Sequence, residues 1–409
     1  MVGRVSSGTA FGLSPDQEAY AAWARERATE MLAGVERAGV ERAGASGQPA
    51  PQGPASPPTH GVINRPLVKA LGDAGLLRGL FGGEPEQPPR DAAAMRLCLL
   101  RETLATLDTE AETALALQGL GSYPILQAGN NGTRDRWLPG VVAGDVVAAF
   151  ALSEPDAGSD AAALTLEARP DGDGWTLHGQ KTWISHAPGA DVYSVFARTT
   201  AGSRARGVTA LAVAGDSAGL SGVPLDMLSP HALGTLTFDG VRVGRDDVLG
   251  EVDQGFAVAM RTLDLFRPSV GAFAVGMAQA ALDASIGWAS ERELFGGRLA
   301  DLQVTQHTLA EMATRIEAGR LLVRAAAAAY DGGAPRSEVT TSAAMAKLFA
   351  TEMAQWVVDQ AVQLHGARGL QRGHLLERLY REVRAPRIYE GASEVQRTII
   401  ARGLLEESP

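Results

Sequence analysis

Apolar positions in the first 145 residues recur at helical spacing. A helix is predicted from about Ser14 to Val40, opened by Ser14-Pro15-Asp16-Gln17. Serine suits an N-cap, proline suits the first helical position, and glutamine three residues on completes a capping box. Residues 44–60 are dense in Pro, Gly and Ser and are expected as an exposed connection without helix or strand. Helical periodicity returns from Arg65 to about Val142, with Leu67, Ala70, Leu71 and Ala74 on one face. The pattern changes near Val146. To about Leu249, short strand-like runs alternate with turn signals: Gly174–Gly179, Asp191–Ala197, Val208–Val213 and Thr235–Phe238. Asp171-Gly-Asp-Gly174 is a hairpin turn, because glycine adopts positive φ cheaply. From Gln254 to Leu405 the period is helical again, at the length of a four-helix bundle. One helix is expected from about Val304 to Tyr330 and another from about Thr340 to His365. The stripe Met345, Leu348, Phe349, Met353, Trp356 and Val357 on the latter reads as core packing. The predicted architecture is mainly α with a central β domain: helices over 1–145, a small β-barrel domain over 146–250, and a C-terminal helical bundle over 251–409.

Composition narrows the function. At 409 residues the chain is long enough for two or three cores, and 45% hydrophobic with 21% charged residues is ordinary globular usage. A net charge of −10 weighs against nucleic acid as a partner, which needs a concentrated basic surface. Only Lys69, Lys181 and Lys347 are lysines, which reads as coding bias. The single cysteine, Cys98, excludes an internal disulfide and cysteine-based metal clusters, and its apolar setting predicts burial. No hydrophobic stretch is expected to reach membrane-spanning length and the N-terminus lacks a secretory apolar core, so a cytoplasmic location without membrane contact is the default.

Gly-x-Gly-x-x-Gly after a strand, a Walker loop and His-Glu-x-x-His are all missing, and the seven histidines form no metal-ligand pair. Two segments carry candidate chemistry. The first is Phe150-Ala-Leu-Ser-Glu-Pro-Asp-Ala-Gly-Ser-Asp160 with Gly179-Gln-Lys-Thr-Trp-Ile-Ser185. Its backbone N–H groups and hydroxyls suit a polar heterocycle or phosphate, and a tryptophan beside a hydroxyl can flank a planar ring. On spacing alone, a turn plus a buried core tryptophan is the favoured alternative. The second is Arg384-Ala-Pro-Arg-Ile-Tyr-Glu-Gly-Ala-Ser-Glu-Val-Gln-Arg397, where Pro386 ends a helix and Ser393-Glu394 is expected to cap the next. Such a loop can push Glu390 into an apolar pocket, where desolvation raises its basicity. An ordinary carboxylate paired with Arg384 or Arg387 is equally consistent with the sequence.

Together with Arg292-Glu-Leu-Phe-Gly296 and Gln363-Leu-His-Gly366, these segments occur in the order and spacing of the acyl-CoA dehydrogenase family, which the chain resembles from about residue 62. The resemblance implies bound FAD and oxidation of an acyl thioester to its trans-2-enoyl form. It places Glu390 as the base that removes the α-proton, with its own N–H helping to polarise the thioester carbonyl, while the β-hydrogen leaves as hydride to the flavin. A family branch keeps its base on an earlier helix; Phe266 occupies that position here, which again selects Glu390. For FAD the resemblance implies Phe150, Leu152, Ser153, Ser159, Trp183, Ile184 and Ser185. It adds Ala392 and Glu394, and Arg292, Phe295, Gln303, Gln363 and Gly366 toward the FAD of a neighbouring subunit. Ser159, Asp264, Arg267, Tyr389 and Gly391 are implied on the substrate. A homo-oligomer, dimer or tetramer, and an electron-transfer flavoprotein as acceptor are also implied.

Some positions depart from the family pattern. Ala392 replaces a common Thr, and Leu294 and Ala367 stand where polar residues and Gly are frequent, so weaker FAD retention is expected. Arg368, Arg372, Arg378, Arg381, Arg384 and Arg387 form a basic stretch, which interspersed Glu377 and Glu382 mark for intramolecular pairing. Family members that hold a distal carboxylate carry an arginine in the region corresponding to 108–118. None is there, so an uncharged acyl chain is expected, with Gly119 and Gly121 widening the pocket if they line it. The alternatives are an acyl-carrier-protein-linked dehydrogenase and a flavin oxidase or monooxygenase on the same fold; Glu390 argues against the monooxygenases.

Overall fold

A computed structural model describes residues 12–46, 61–82, 89, 93–202, 204–229 and 231–406. Helices α1 (Pro15–Ser46), α2 (Arg65–Asp73), α3 (Ala94–Leu107), α4 (Thr109–Ala128) and α5 (Asn131–Ala143) come first. The capping box forms: Ser14 N–H donates to Gln17 Oε1 at 3.0 Å, and Gln17 N–H to Ser14 Oγ at 3.3 Å. Helix α1 runs on through Ser46, past the expected end at Val40 and into the span expected to lack helix. Its continuation, Glu41-Arg-Ala-Gly-Ala-Ser46, contains no proline to interrupt it, the first coming at residue 49. The remainder of the Pro-rich connection, 47–60, lies outside the described residues.

Eight strands follow: β1 (Ala148–Ala151), β2 (Glu167–Asp171), β3 (Gly174–Ser185), β4 (Val192–Arg198), β5 (Val208–Ala214), β6 (Leu220–Pro224), β7 (Leu233–Val243) and β8 (Val248–Leu249). They form one sheet in the order β6-β7-β3-β2-β4-β5-β8, with β1 pairing parallel to β4. The Asp171–Gly174 turn joins β2 to β3 as an antiparallel hairpin, with Gly172 at φ +62°. The core strands β4 and β5 are buried on both faces, as their unbroken apolar runs require.

The last unit contains α6 (Gly255–Glu291), the two-residue strands β9 (Glu293–Leu294) and β10 (Gly297–Arg298), α7 (Gln303–Asp331), α8 (Arg336–His365), α9 (Leu375–Glu382) and α10 (Ser393–Glu406). Helix α6 corrects one expectation, being long and apolar enough by length and composition to cross a membrane. Its apolarity has another cause: α3, α7 and α8 pack around it, and its side chains are buried on nearly every face. Close approach is built in, since a Cβ on Gly276 would stand 2.5 Å from the Glu102 carbonyl of α3. Cys98 is buried, and its thiol is pushed up beyond the usual range by that burial.

Candidate active site

The β-domain loop is set by a bulge. Strand β3 pairs Lys181 with Leu236 of β7 and then Ile184 with Gly234, so the register slips across Thr182-Trp183. Trp183 takes φ +59° and its ring turns outward, 53% exposed, between the buried Lys181 and Ile184. The expectation of a buried core tryptophan therefore fails. Thr182 N–H donates to Ser153 O at 3.0 Å, which fastens the 150–160 loop beside the indole. Lys181, fully buried, completes the attachment with hydrogen bonds to Leu152 O and Glu154 Oε1, both at 2.8 Å. Glu154 also accepts from the N–H groups of Thr165 and Leu166. Burial pushes this carboxyl up, but Lys181 and those N–H groups outweigh it and hold it below the ordinary value.

The hydroxyls of Ser153, Ser159 and Ser185 donate to no described residue, and the space a Cβ on Gly158 would enter is open. An exposed indole flanked by unengaged hydroxyls suits a planar, polar-edged ring system such as a flavin. Phe150 and Leu152 back this surface, Phe150 packing on Phe196 with ring centroids 4.9 Å apart.

The Glu390 loop lies between α9 and α10. After a short 3₁₀ turn at Ala385–Arg387, Ile388 and Tyr389 N–H both donate to Ala385 O. Glu390 then takes φ +51° and Gly391 φ +97°. Only glycine fits at 391: besides the φ, a Cβ there would stand 2.3 Å from Gln396 Nε2. Helix α10 starts at Ser393, so this serine is inside the helix and does not cap it. Its Oγ is drawn instead to Glu352 Oε1 at 2.6 Å. Arg387 also pairs with Glu352, at 2.7 Å, which removes it as a partner for Glu390. Elsewhere in the basic stretch, Arg381 pairs with Glu377 at 2.7 Å and Arg378 faces Asp108 at 3.8 Å.

Glu390 Oε2 is buried and has no hydrogen-bond partner among the described residues. Burial raises the carboxyl above its ordinary value, opposed by the positive charges of Arg101, Lys347 and Arg267. Arg267, buried on α6, donates to Glu390 O at 3.3 Å and lies 3.4 Å from Asp264, which also faces Arg336 at 3.5 Å. Phe266, buried beside them, packs on Tyr123 with centroids 6.0 Å apart. A Cβ on Gly119 would meet the Phe266 ring at 3.0 Å, and one on Gly121 the Ala149 backbone at 2.4 Å. Both glycines are therefore close-packing positions and do not widen a pocket.

Sequence reading missed Lys347, Gln396, Arg101 and Glu112. Arg101 of α3 pairs with Glu112 of α4, and its Nη1 donates to Ser269 Oγ of α6 at 2.8 Å; both partners are fully buried. An arginine is thus present near Glu390, contributed by the helix before 108–118 and already neutralised. The scarcity of lysine was the available signal for Lys181 and Lys347.

A third group sits at the other end of α6. Trp288 stacks on His365 with centroids 5.5 Å apart, and the Arg292 and Arg368 guanidinium groups lie over it. This gathers Arg292, Gln363 and Gly366 at one end of the bundle. Phe295 projects from the β9–β10 turn, 93% exposed, and Gln303 opens α7 as an exposed residue. Ala392 and Glu394 stay with the Glu390 loop.

Three domain models match in order: the acyl-CoA dehydrogenase N-terminal domain over residues 53–145, the middle domain over 149–241 and the C-terminal domain over 253–405. The short-chain specific acyl-CoA dehydrogenase of Bos taurus mitochondria is 42% identical over 286 residues, 69% of each chain. The butyryl-CoA dehydrogenase structure of Megasphaera elsdenii superposes with a TM-score of 0.84 at 30% identity, covering 97% of this chain and 99% of that one. A chain from a study of the electron transferring flavoprotein of Acidaminococcus fermentans superposes with a TM-score of 0.85 at 32% identity, covering 97% and 100%. The chain belongs to the acyl-CoA dehydrogenase family. It is an FAD-dependent oxidoreductase acting on CH–CH groups.

Proposed function

We infer that Glu390 removes the α-proton of an uncharged, short acyl-CoA thioester as the β-hydrogen is transferred to FAD. The observation that carries this reading is the buried Oε2 of Glu390, without a hydrogen-bond partner among the described residues and set beside Lys347 and the ion-paired Arg101 and Arg267. Desolvation strengthens a carboxylate as a base, and the surrounding positive charge keeps it from being neutralised outright. An α C–H is too weakly acidic for an unaided carboxylate, so the developing negative charge on the thioester oxygen must be stabilised. The Glu390 N–H donates to no described residue, leaving it available for that oxygen. When bound, FAD supplies the hydride acceptor; Trp183, Ser153, Ser159 and Ser185 would hold it, backed by Phe150, Leu152 and Ile184. Arg267 and Asp264 border the thioester side of the Glu390 loop, with Ser159 and Tyr389 as further contacts.

Two features support the substrate class. The Arg101–Glu112 pair has no net charge to offer a distal carboxylate, and the similar proteins include short-chain and butyryl-CoA enzymes. Along α6, the 25 residues from Arg267 to Arg292 span roughly 37 Å, too far for both ends to serve one site in one chain. We therefore assign Arg292, Phe295, Gln303, Gln363 and Gly366 to a cofactor held by a second copy, in a homo-oligomer. An electron-transfer flavoprotein is the proposed acceptor.

The test is the visible spectrum of the purified protein, followed anaerobically as acyl-CoA thioesters of increasing length are added. Bleaching of the flavin by butyryl-CoA, with weaker response to long or dicarboxylic thioesters, is expected. A flavin spectrum indifferent to every CoA thioester would sink the reading and favour a carrier-protein substrate or oxygen chemistry.

A further inference from the structure

Three helices converge on the two carbonyls that frame the Glu390 loop. From α8, Lys347 Nζ donates to Gly391 O at 2.6 Å. From α10, Gln396 Nε2 lies 2.9 Å from Gly391 O and 3.3 Å from Glu390 O, and from α6, Arg267 Nε donates to Glu390 O at 3.3 Å. Lys347 and Gln396 have no exposed surface. A non-glycine residue held at positive φ is strained and persists only where its surroundings over-determine it. These contacts are that over-determination for Glu390 at φ +51°.

Lys347 differs from the other two donors. Arg267 lies in a contact pair with Asp264, a carboxylate it shares with Arg336, and Gln396 is neutral. The Lys347 ammonium has three donors, one of them on Gly391 O, and no carboxylate among the described residues hydrogen-bonds it. Its charge is therefore not quenched in a contact pair. The charged groups facing it are Glu390, Arg267, Glu352 and Glu394, and Glu352 is already engaged by Ser393 and Arg387. Around Glu390 stand Arg101 from α3, Arg267 from α6 and Lys347 from α8, with Glu112 from α4 and Tyr389 in the loop itself.

The residue choice points the same way. The chain has 34 arginines and three lysines, and two of those lysines are wholly buried, each donating to a carbonyl of a loop in the site. A compact ammonium reaches a single carbonyl in a closed space where a planar guanidinium does not fit.

We propose that Lys347 is a positioning residue for the reaction assigned to Glu390, fixing the Gly391 carbonyl and supplying the unquenched charge that keeps the Glu390 carboxylate ionised. Gln396 is its neutral counterpart, holding the same backbone without the field. The inference rests on the dehydrogenase reading for its chemistry, while its structural half stands apart from any substrate.

The experiment compares FAD-loaded wild type, Lys347→Met, Lys347→Arg and Gln396→Leu. Hydrogen exchange of the 386–397 segment is followed together with flavin reduction by butyryl-CoA across the neutral pH range. Lys347→Met is expected to keep its flavin, to exchange about tenfold faster in that segment, and to reduce its flavin about 10–100-fold more slowly. Removing a cation from beside a carboxylate raises its pKa, so the acid limb of the rate profile is expected to move to higher pH. Lys347→Arg should keep the limb near its wild-type position and still exchange faster; Gln396→Leu should lose rate without moving the limb. Unchanged exchange and an unmoved limb in Lys347→Met would overturn the proposal. If Lys347→Met fails to fold, wild-type exchange in both Lys347→Arg and Gln396→Leu would overturn it as well. A wild type that butyryl-CoA does not reduce speaks against the functional reading, while the exchange comparison still judges the clamp.

Discussion

The two loops of the site are each tied down by a buried lysine, but in different electrical states. Lys181 meets Glu154 in a contact pair that also takes two backbone N–H groups, so the 150–160 loop is held with its charge cancelled. Lys347 donates to the Gly391 carbonyl and to no carboxylate among the described residues, so the 388–392 loop is held with a charge outside any contact pair. A loop that only shapes a surface needs no residual field, whereas one presenting a desolvated base does. The ammonium groups themselves feel this alike: burial lowers each to about 8, with Glu154 opposing in one case and Glu390 in the other.

The sharpest break of this contrast is Glu390→Gln, expected to lower flavin reduction by about 10³–10⁴-fold with FAD still bound. Stopped-flow absorbance measures it, and a loss under tenfold would remove Glu390 from proton transfer. Next is Lys181→Met, which leaves Glu154 as a buried carboxylate without its cation and should destabilise the fold by about 3–5 kcal/mol in denaturant titration at neutral pH. Because Glu154 has a folded pKa below its unfolded one, its contribution is present above the unfolded value and lost as pH falls through the folded value. The variant should show a shallower acid loss of stability than wild type.

A smaller effect sharpens the comparison on the approach to the Glu390 loop. Burial raises Glu382, at the end of α9, from the ordinary 4.5 to about 7. Here the folded pKa exceeds the unfolded one, so wild type loses stability as pH climbs from about 4.5 to about 7, and the loss is complete above that. Glu382→Gln should remove that slope and gain up to about 3 kcal/mol above pH 7, read from melting temperatures across pH. Smallest is Arg387→Met. Its pair with Glu352 is half-exposed, so a change within about 1 kcal/mol and a rate within about twofold of wild type are expected.

The chain's layout was legible because period and turn chemistry are local properties. The capping box at Ser14 and the β2–β3 turn follow from a few neighbouring residues, whereas the stripe read as core on α8 fails in part: Met353 and Val357 are buried, but Met345 and Phe349 are exposed, because the helix turns its alanine face, Ala343, Ala346, Ala350 and Ala354, inward. The outward turn of Trp183 was not legible, since it depends on a register slip against β7, a strand some fifty residues on. Ser393 read as a cap because serine is a good one, but Glu352, forty-one residues away, competes for its hydroxyl. Glu390 could be singled out only through resemblance. Its neighbours in sequence, Arg384 and Arg387, suggested pairing, while burial raises it and the cations that oppose that burial, Arg101, Lys347 and Arg267, come from three separate helices. Glycine was similarly ambiguous: at 119 and 121 the missing side chain admits neighbouring atoms, not ligand space.

The distribution of lysine has a practical side. Of the three lysine side chains, Lys69 is the only one that meets solvent, its side chain 47% exposed midway along α2. An amine-directed dye, cross-linker or resin will therefore find one lysine handle on the described surface. Conjugation there leaves both loop anchors chemically untouched, and an immobilised or labelled sample should reduce its flavin at the rate of the free protein.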